Sequence, residues 1–100
     1  MNTQEMIPAI EFCFHHNITI SFIESLNRSG LIQIMQIEER IFVPISELKK
    51  LETYVTLHND LDINIEGIET VSHLLHRIER LQEDVQVLNN RLRIYEVVES

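Results

Sequence analysis

The chain has 100 residues, 44% of them hydrophobic, and a formal net charge of −8 at pH 7. That length allows one domain, or one small head carrying an extended helix. The acidic balance is opposite to the basic face that duplex-binding proteins turn toward phosphate, and no apolar run approaches the roughly 18 residues needed to span a bilayer.

Residues 1–8 contain no Lys or Arg, so the N-terminus does not read as a secretion signal. Cys13 is the single cysteine, which excludes an internal disulfide and fits a reducing, cytoplasmic setting. With two glycines and two prolines, long flexible loops are not expected. Residues 1–50 carry a charge of −2 and residues 51–100 carry −6. Between Leu51 and Thr70 stand Glu52, Asp60, Asp62, Glu66 and Glu69, with no Lys or Arg. Such a stretch steers basic protein partners, although solubility alone also accounts for it.

Residues 8–16 read as a first short helix, with Pro8 at its N-terminal end and Ile10, Phe12, Cys13 and Phe14 as apolar residues. Asn17 is suited to a left-handed closing position. Thr19 or Ser21 caps a second helix that runs to about Arg28 and turns Phe22, Ile23 and Leu26 inward. Ser29-Gly30 ends it. Two short helices joined by so tight a turn form a helix-turn-helix candidate. Leu31, Ile32, Ile34, Ile37, Ile41, Phe42 and Val43, broken by Glu38-Glu39-Arg40, then suggest a small hairpin wing. Pro44 stops it. Ser46 is the expected cap of a third helix, carrying Leu48, Leu51, Tyr54, Val55 and Leu57 at helical spacing. A turn over Asn59–Asn64 follows, with Asn64 capping a last helix from about Ile65 nearly to the end.

Within that last helix Val71, Leu74, Ile78, Leu81, Val85, Leu88, Leu92 and Tyr95 keep a strict 4-3 rhythm. They fill the a and d positions of a heptad, with Val or Ile at three a sites and Leu at three d sites. A stripe that narrow calls for a partner helix, and this pattern favours two strands when helices run parallel. The expectation is therefore a homodimer through these eight residues. The expected fold class is mainly α: a winged helix-turn-helix head over residues 1–64 with a small β-hairpin wing, and a long coiled-coil helix over residues 65–100, in one compact domain overall.

This order of elements resembles MerR-like regulators. It is closer to a smaller relative, the bacterial chaperone-modulator family called CbpM. The resemblance rests on Ile18 through Leu26, on Ser29-Gly30-Leu31-Ile32, and most strongly on Leu57 through Ile68, which is similar to the pattern L-H-x-D-L-x-I-N-x-x-G-I. It covers about residues 8–93. Asn17 and Asp62 stand where the pattern expects glycine, and both residue types tolerate turn conformations. The resemblance implies direct binding to the J-domain of a DnaJ-like co-chaperone, CbpA, and inhibition of its work with Hsp70. It also implies antiparallel pairing of the long helices, and a partner face on the head and its junction with the long helix. On that region the candidates are Glu24 and Arg28 of the second helix with Asn27 beside them, and Asp60, Asp62 and Glu66 at the turn before the long helix.

Other classes find less support. A recognition helix needs Arg, Lys, Asn or Gln toward base edges and basic neighbours on phosphate. The outer positions here are Ser21, Glu24, Ser25, Asn27 and Arg28, and the wing holds Glu38-Glu39. A MerR-like DNA-binding transcription regulator is the runner-up, and a structural coiled-coil adaptor the third reading. His73 and His76 have i, i+3 spacing, and His15, His16 and His58 are further nitrogen donors, but no thiolate or carboxylate set completes a metal site. No phosphate loop, nucleophile elbow or zinc-protease motif is present, so neither an enzyme, a cofactor nor a small-molecule ligand is expected.

Overall fold

The computed structural model describes residues 5–99. Residues 1–4, on which half of the N-terminal reading fell, and Ser100 lie outside them. Strand β1 (Met6–Pro8) leads directly into helix α1 (Ala9–His16), followed by α2 (Ile20–Arg28), β2 (Met35–Ile37), β3 (Arg40–Pro44), a 3-10 turn (Ile45–Glu47), α3 (Leu48–Leu61) and α4 (Ile65–Glu99). This is the expected mainly helical winged head with a long C-terminal helix. Among the described residues, no helix is long and apolar enough to cross a membrane.

Three helices close on a left-handed residue. Asn17 has φ 57° at the end of α1, Gly30 has φ 77° after α2, and Asp62 has φ 57° after α3. After α2, Leu31 N–H reaches back to Leu26 O at 2.9 Å and Gly30 N–H to Asn27 O at 3.0 Å, the paired bonds of a Schellman closure. After α1, Ile18 N–H donates to Cys13 O in the same way. The two positions where glycine was expected therefore do adopt glycine-like backbone. Thr19, one of the two proposed caps, is the N-cap of α2, its Oγ1 accepting from Phe22 N–H at 3.1 Å.

The sheet has three antiparallel strands in the order β1-β3-β2. Strand β1 was not anticipated; it is too short to show alternation, and only its pairing with the central strand β3, Met6 with Pro44, Ile7 with Val43 and Pro8 with Phe42, defines it. The hairpin joins Ile37 to Arg40 through Glu38 and Glu39 alone, whose φ values of 49° and 67° match a type I′ turn. Arg40 thus belongs to β3 rather than to the break. Leu31 and Ile32 are not strand residues; they are buried in the core after the α2 closure.

Two further differences concern α3. Ser46 lies in the 3-10 turn, and the residue preceding α3 is Glu47. Its carboxylate accepts from Gln33 N–H at 2.7 Å and pairs with Lys50 Nζ at 3.2 Å, tying the loop after α2 to the start of α3. At the other end α3 continues through Leu61, so Asn59 and Asp60 are helical and the turn shrinks to Asp62–Asn64.

The chain divides into two compact units, Met1–Glu69 and Thr70–Ser100, so the division falls inside α4. In the first unit Ala9, Ile23, Leu26, Val43, Leu51 and Ile68 lose all solvent contact, with Phe12, Cys13, Phe22, Ile32, Tyr54 and Val55 around them. Each α-helix up to α3 contributes one stripe, as amphipathic spacing requires. Ile65 and Ile68 complete this core from the first turn of α4, which is why the unit extends past residue 64.

That first turn is tightly built. Asn64 Oδ1 accepts from Gly67 N–H at 2.8 Å, and a Cβ on Gly67 would lie 2.6 Å from Ile63 Cγ2. Helix propensity alone forecasts that Gly67→Ala stabilises by about 1 kcal/mol. The contact with a stiff β-branched side chain reverses the sign, and we expect a net loss of about 1–2 kcal/mol. Urea unfolding of the variant checks it; an unchanged or raised midpoint contradicts the close approach.

Candidate partner-binding surfaces

On α2, Phe22, Ile23 and Leu26 face the core, which leaves Ser21, Asn27 and Arg28 exposed and Glu24 and Ser25 half-buried. Arg28 Nη2 donates to Ser25 Oγ at 3.0 Å, so the guanidinium is held along its own helix. The wing tip adds two exposed carboxylates, Glu38 and Glu39. Both surfaces that a winged helix-turn-helix lays on DNA therefore carry acid.

The α3–α4 junction is positioned by aromatic and amide contacts. The His58 ring stacks on Phe22 with centroids 4.4 Å apart, and its Nδ1–H donates to Ile63 O at 3.1 Å. Asn59 Nδ2 donates to His16 O at 3.0 Å, joining the ends of α3 and α1. His16 itself stacks on Phe12 at 3.9 Å. Around this fixed junction Asp60, Asp62 and Glu66 are all exposed. Asp60 and Asp62 stand at the C-terminal end of α3, where the helix dipole disfavours negative charge, while Glu66 stands in the first turn of α4, where it is favoured. The six candidate residues thus form two local sets, on α2 and at the junction, linked through the stacked rings of buried Phe22 and half-buried His58.

In the second unit the heptad residues face outward. Leu74, Ile78, Leu81, Val85, Leu88, Leu92 and Tyr95 are between 48% and 63% exposed, and Val71, at the head of the stripe, is half-buried. Such a continuous stripe exceeds the scattered apolar residues normal on a surface.

Sequence reasoning missed a second face of α1. Ala9, Phe12 and Cys13 are buried, but Ile10 and Phe14 are 66% and 85% exposed. Their i, i+4 spacing, offset from the inward stripe, was the available signal. Burial raises the Cys13 thiol above its ordinary pKa, which disfavours the reactive thiolate. His76 Nδ1–H donates to Ser72 O at 3.0 Å within α4. Among the described residues no group of three or more His, Cys, Asp or Glu is placed to hold a metal ion.

A helix-turn-helix followed by a hairpin wing and a long helix defines a winged helix-turn-helix protein. Residues 7–90 match the family described as MerR HTH family regulatory protein, and the chain belongs to that family. Neither the curated proteins nor the solved structures contain a match to it.

The wing turn generates a test. Two consecutive left-handed glutamates are costly where Asn-Gly is the relaxed choice. Replacing Glu38→Asn together with Glu39→Gly is expected to stabilise the head by about 1 kcal/mol, since non-glycine residues carry a penalty of that order in this conformation. Thermal or urea melts measure it, and no gain would mean that the carboxylates offset the strain.

Proposed function

We propose that this member of the MerR HTH family is a non-enzymatic modulator of a J-domain co-chaperone, inhibiting it by direct binding. One observation carries the reading: the two DNA-facing surfaces bear Glu24, Glu38 and Glu39 where phosphate contact needs cations. The acids of the α3–α4 junction extend the negative surface, and two of them sit against the dipole of their own helix. A J-domain carries a basic helix, so the charges are complementary. Family membership by itself favours the second reading, a DNA-binding transcription regulator, and function has to be argued from the site rather than the fold.

Binding measured in parallel separates the two. The protein is mixed with a CbpA-like J-domain co-chaperone and with duplex DNA at about 150 mM salt, near physiological screening. The proposal expects a saturable complex with the co-chaperone and none with DNA below micromolar protein, the range typical of non-specific binding. A sequence-specific DNA complex tighter than that overturns it. Reversing Asp60, Asp62 and Glu66 to Lys together is expected to slow association with the J-domain and flatten its salt dependence. An unchanged on-rate would move the binding face to α2.

The same reading includes a homodimer through α4, built on the exposed heptad stripe. Light scattering at tens of micromolar is expected to give twice the chain mass, and Leu81→Asp to return the monomer. A monomer mass for the unaltered protein refutes this assembly.

A further inference from the structure

The most exposed large apolar side chain of the head is Phe14, at 85%, and Ile10, one turn before it, is 66% exposed. Phe14 touches only the edge of the neighbouring His15 ring among the aromatic contacts of the described residues, at 5.9 Å between centroids. Ile10 also lines a groove with Pro8, Ile20, Glu39, Arg40 and Ile41, between the starts of α1 and α2 and the wing. Its volume is about 250 Å³. That is below the roughly 300–1,000 Å³ of small-molecule pockets, a size for one inserted side chain rather than a whole ligand.

Around this groove acids outnumber bases, with Glu11, Glu38 and Glu39 against Arg40. Arg40 contributes to the lining, but its guanidinium lies over the Phe42 ring, 5.4 Å from the centroid. Glu39 on the rim, Glu38 beside it and Glu11 next to Ile10 are left facing solvent. The two-residue turn sets the backbone from which both wing carboxylates project.

We infer that this groove, with the Ile10–Phe14 ridge, is the docking site for an amphipathic helix of a partner protein, inserting one large apolar side chain flanked by Lys or Arg. An apolar side chain fills the groove, a second one a turn away meets Phe14, and the flanking cations meet Glu11, Glu38 and Glu39. This is helix-in-groove recognition, in which residues at i and i+4 act as anchors. The inference rests on the protein-binding reading above for the identity of the partner, but the groove chemistry stands independently of it.

The test uses the full chain, labelled with ¹⁵N, and a synthetic amphipathic helix of leucine and lysine. A second peptide replaces every lysine with glutamate. The lysine peptide is expected to shift the amides of Ile10, Phe14, Ile20 and Ile41, and the glutamate peptide to leave them unmoved. Ile10→Asp and Glu39→Lys, both at exposed positions, should each weaken binding by about tenfold, the scale of a single interface anchor or a reversed rim charge, with unchanged melting curves. Shifts confined to α4 or to the Asp60–Glu66 junction, or no shifts, overturn the inference. The J-domain co-chaperone is then bound to the unaltered protein and to a Phe14→Asp variant. Equal binding to both rejects the groove as the docking site while leaving the partner reading intact. A co-chaperone that binds neither, beside a lysine peptide that fills the groove, rejects the partner reading alone.

Discussion

Three left-handed residues set the geometry of the head. A unit of about seventy residues has little apolar area to bury, so its helices must turn back on each other within two or three residues. Asn17, Gly30 and Asp62 make those reversals, and each lets the following apolar residue drop into or against the core: Ile18 after α1, Leu31 after α2 and Ile63 after α3. Without them Phe12, Ile23, Leu26 and Leu51 would not meet. That two of the three are not glycine shows that the position selects the backbone conformation rather than the residue. The polar side chains of Asn and Asp tolerate it at modest cost.

The junction between α3 and α4 is the second dependent feature. It is held by the His58 ring on Phe22 and the Asn59 amide on the end of α1, with the Gly67 approach to Ile63 beneath. Asp60 and Asp62 project as exposed carboxylates from this frame. Precision of that kind suits recognition, because a partner that meets preset charges orders less on binding.

Much of this was legible in the residues. The helix closures at Asn17 and Gly30, the inward stripe of α2, the core side of α3, the Asn64 cap and the long helix all follow from spacing and turn chemistry. What escaped has physical causes. Strand β1 has three residues, too few for a period of two to appear, and its partner is some thirty-five positions away. Leu31 and Ile32 look like strand because they are apolar and β-rich neighbours follow, but the Schellman closure commits them to the core first. Ser46 had the right chemistry for a cap, yet the 3-10 turn moved the helix start to Leu48 and the Glu47 carboxylate was drawn to Gln33. The exposed pair Ile10 and Phe14 was hidden inside a run that is apolar on both sides, where composition cannot say which residues face the core.

The sheet is narrow, and this has a consequence for how the protein behaves when crowded by copies of itself. Strands β1 and β2 lie at its two margins, three residues each, on either side of β3. An open margin offers unpaired backbone groups to any other extended chain and is a template for aggregation. At three residues β2 offers little to pair with, and the adjoining turn carries two carboxylates that repel the same turn on another molecule. Met35 and Ile37 can thus remain apolar and accessible on an acidic protein without seeding the growth of a cross-molecular sheet.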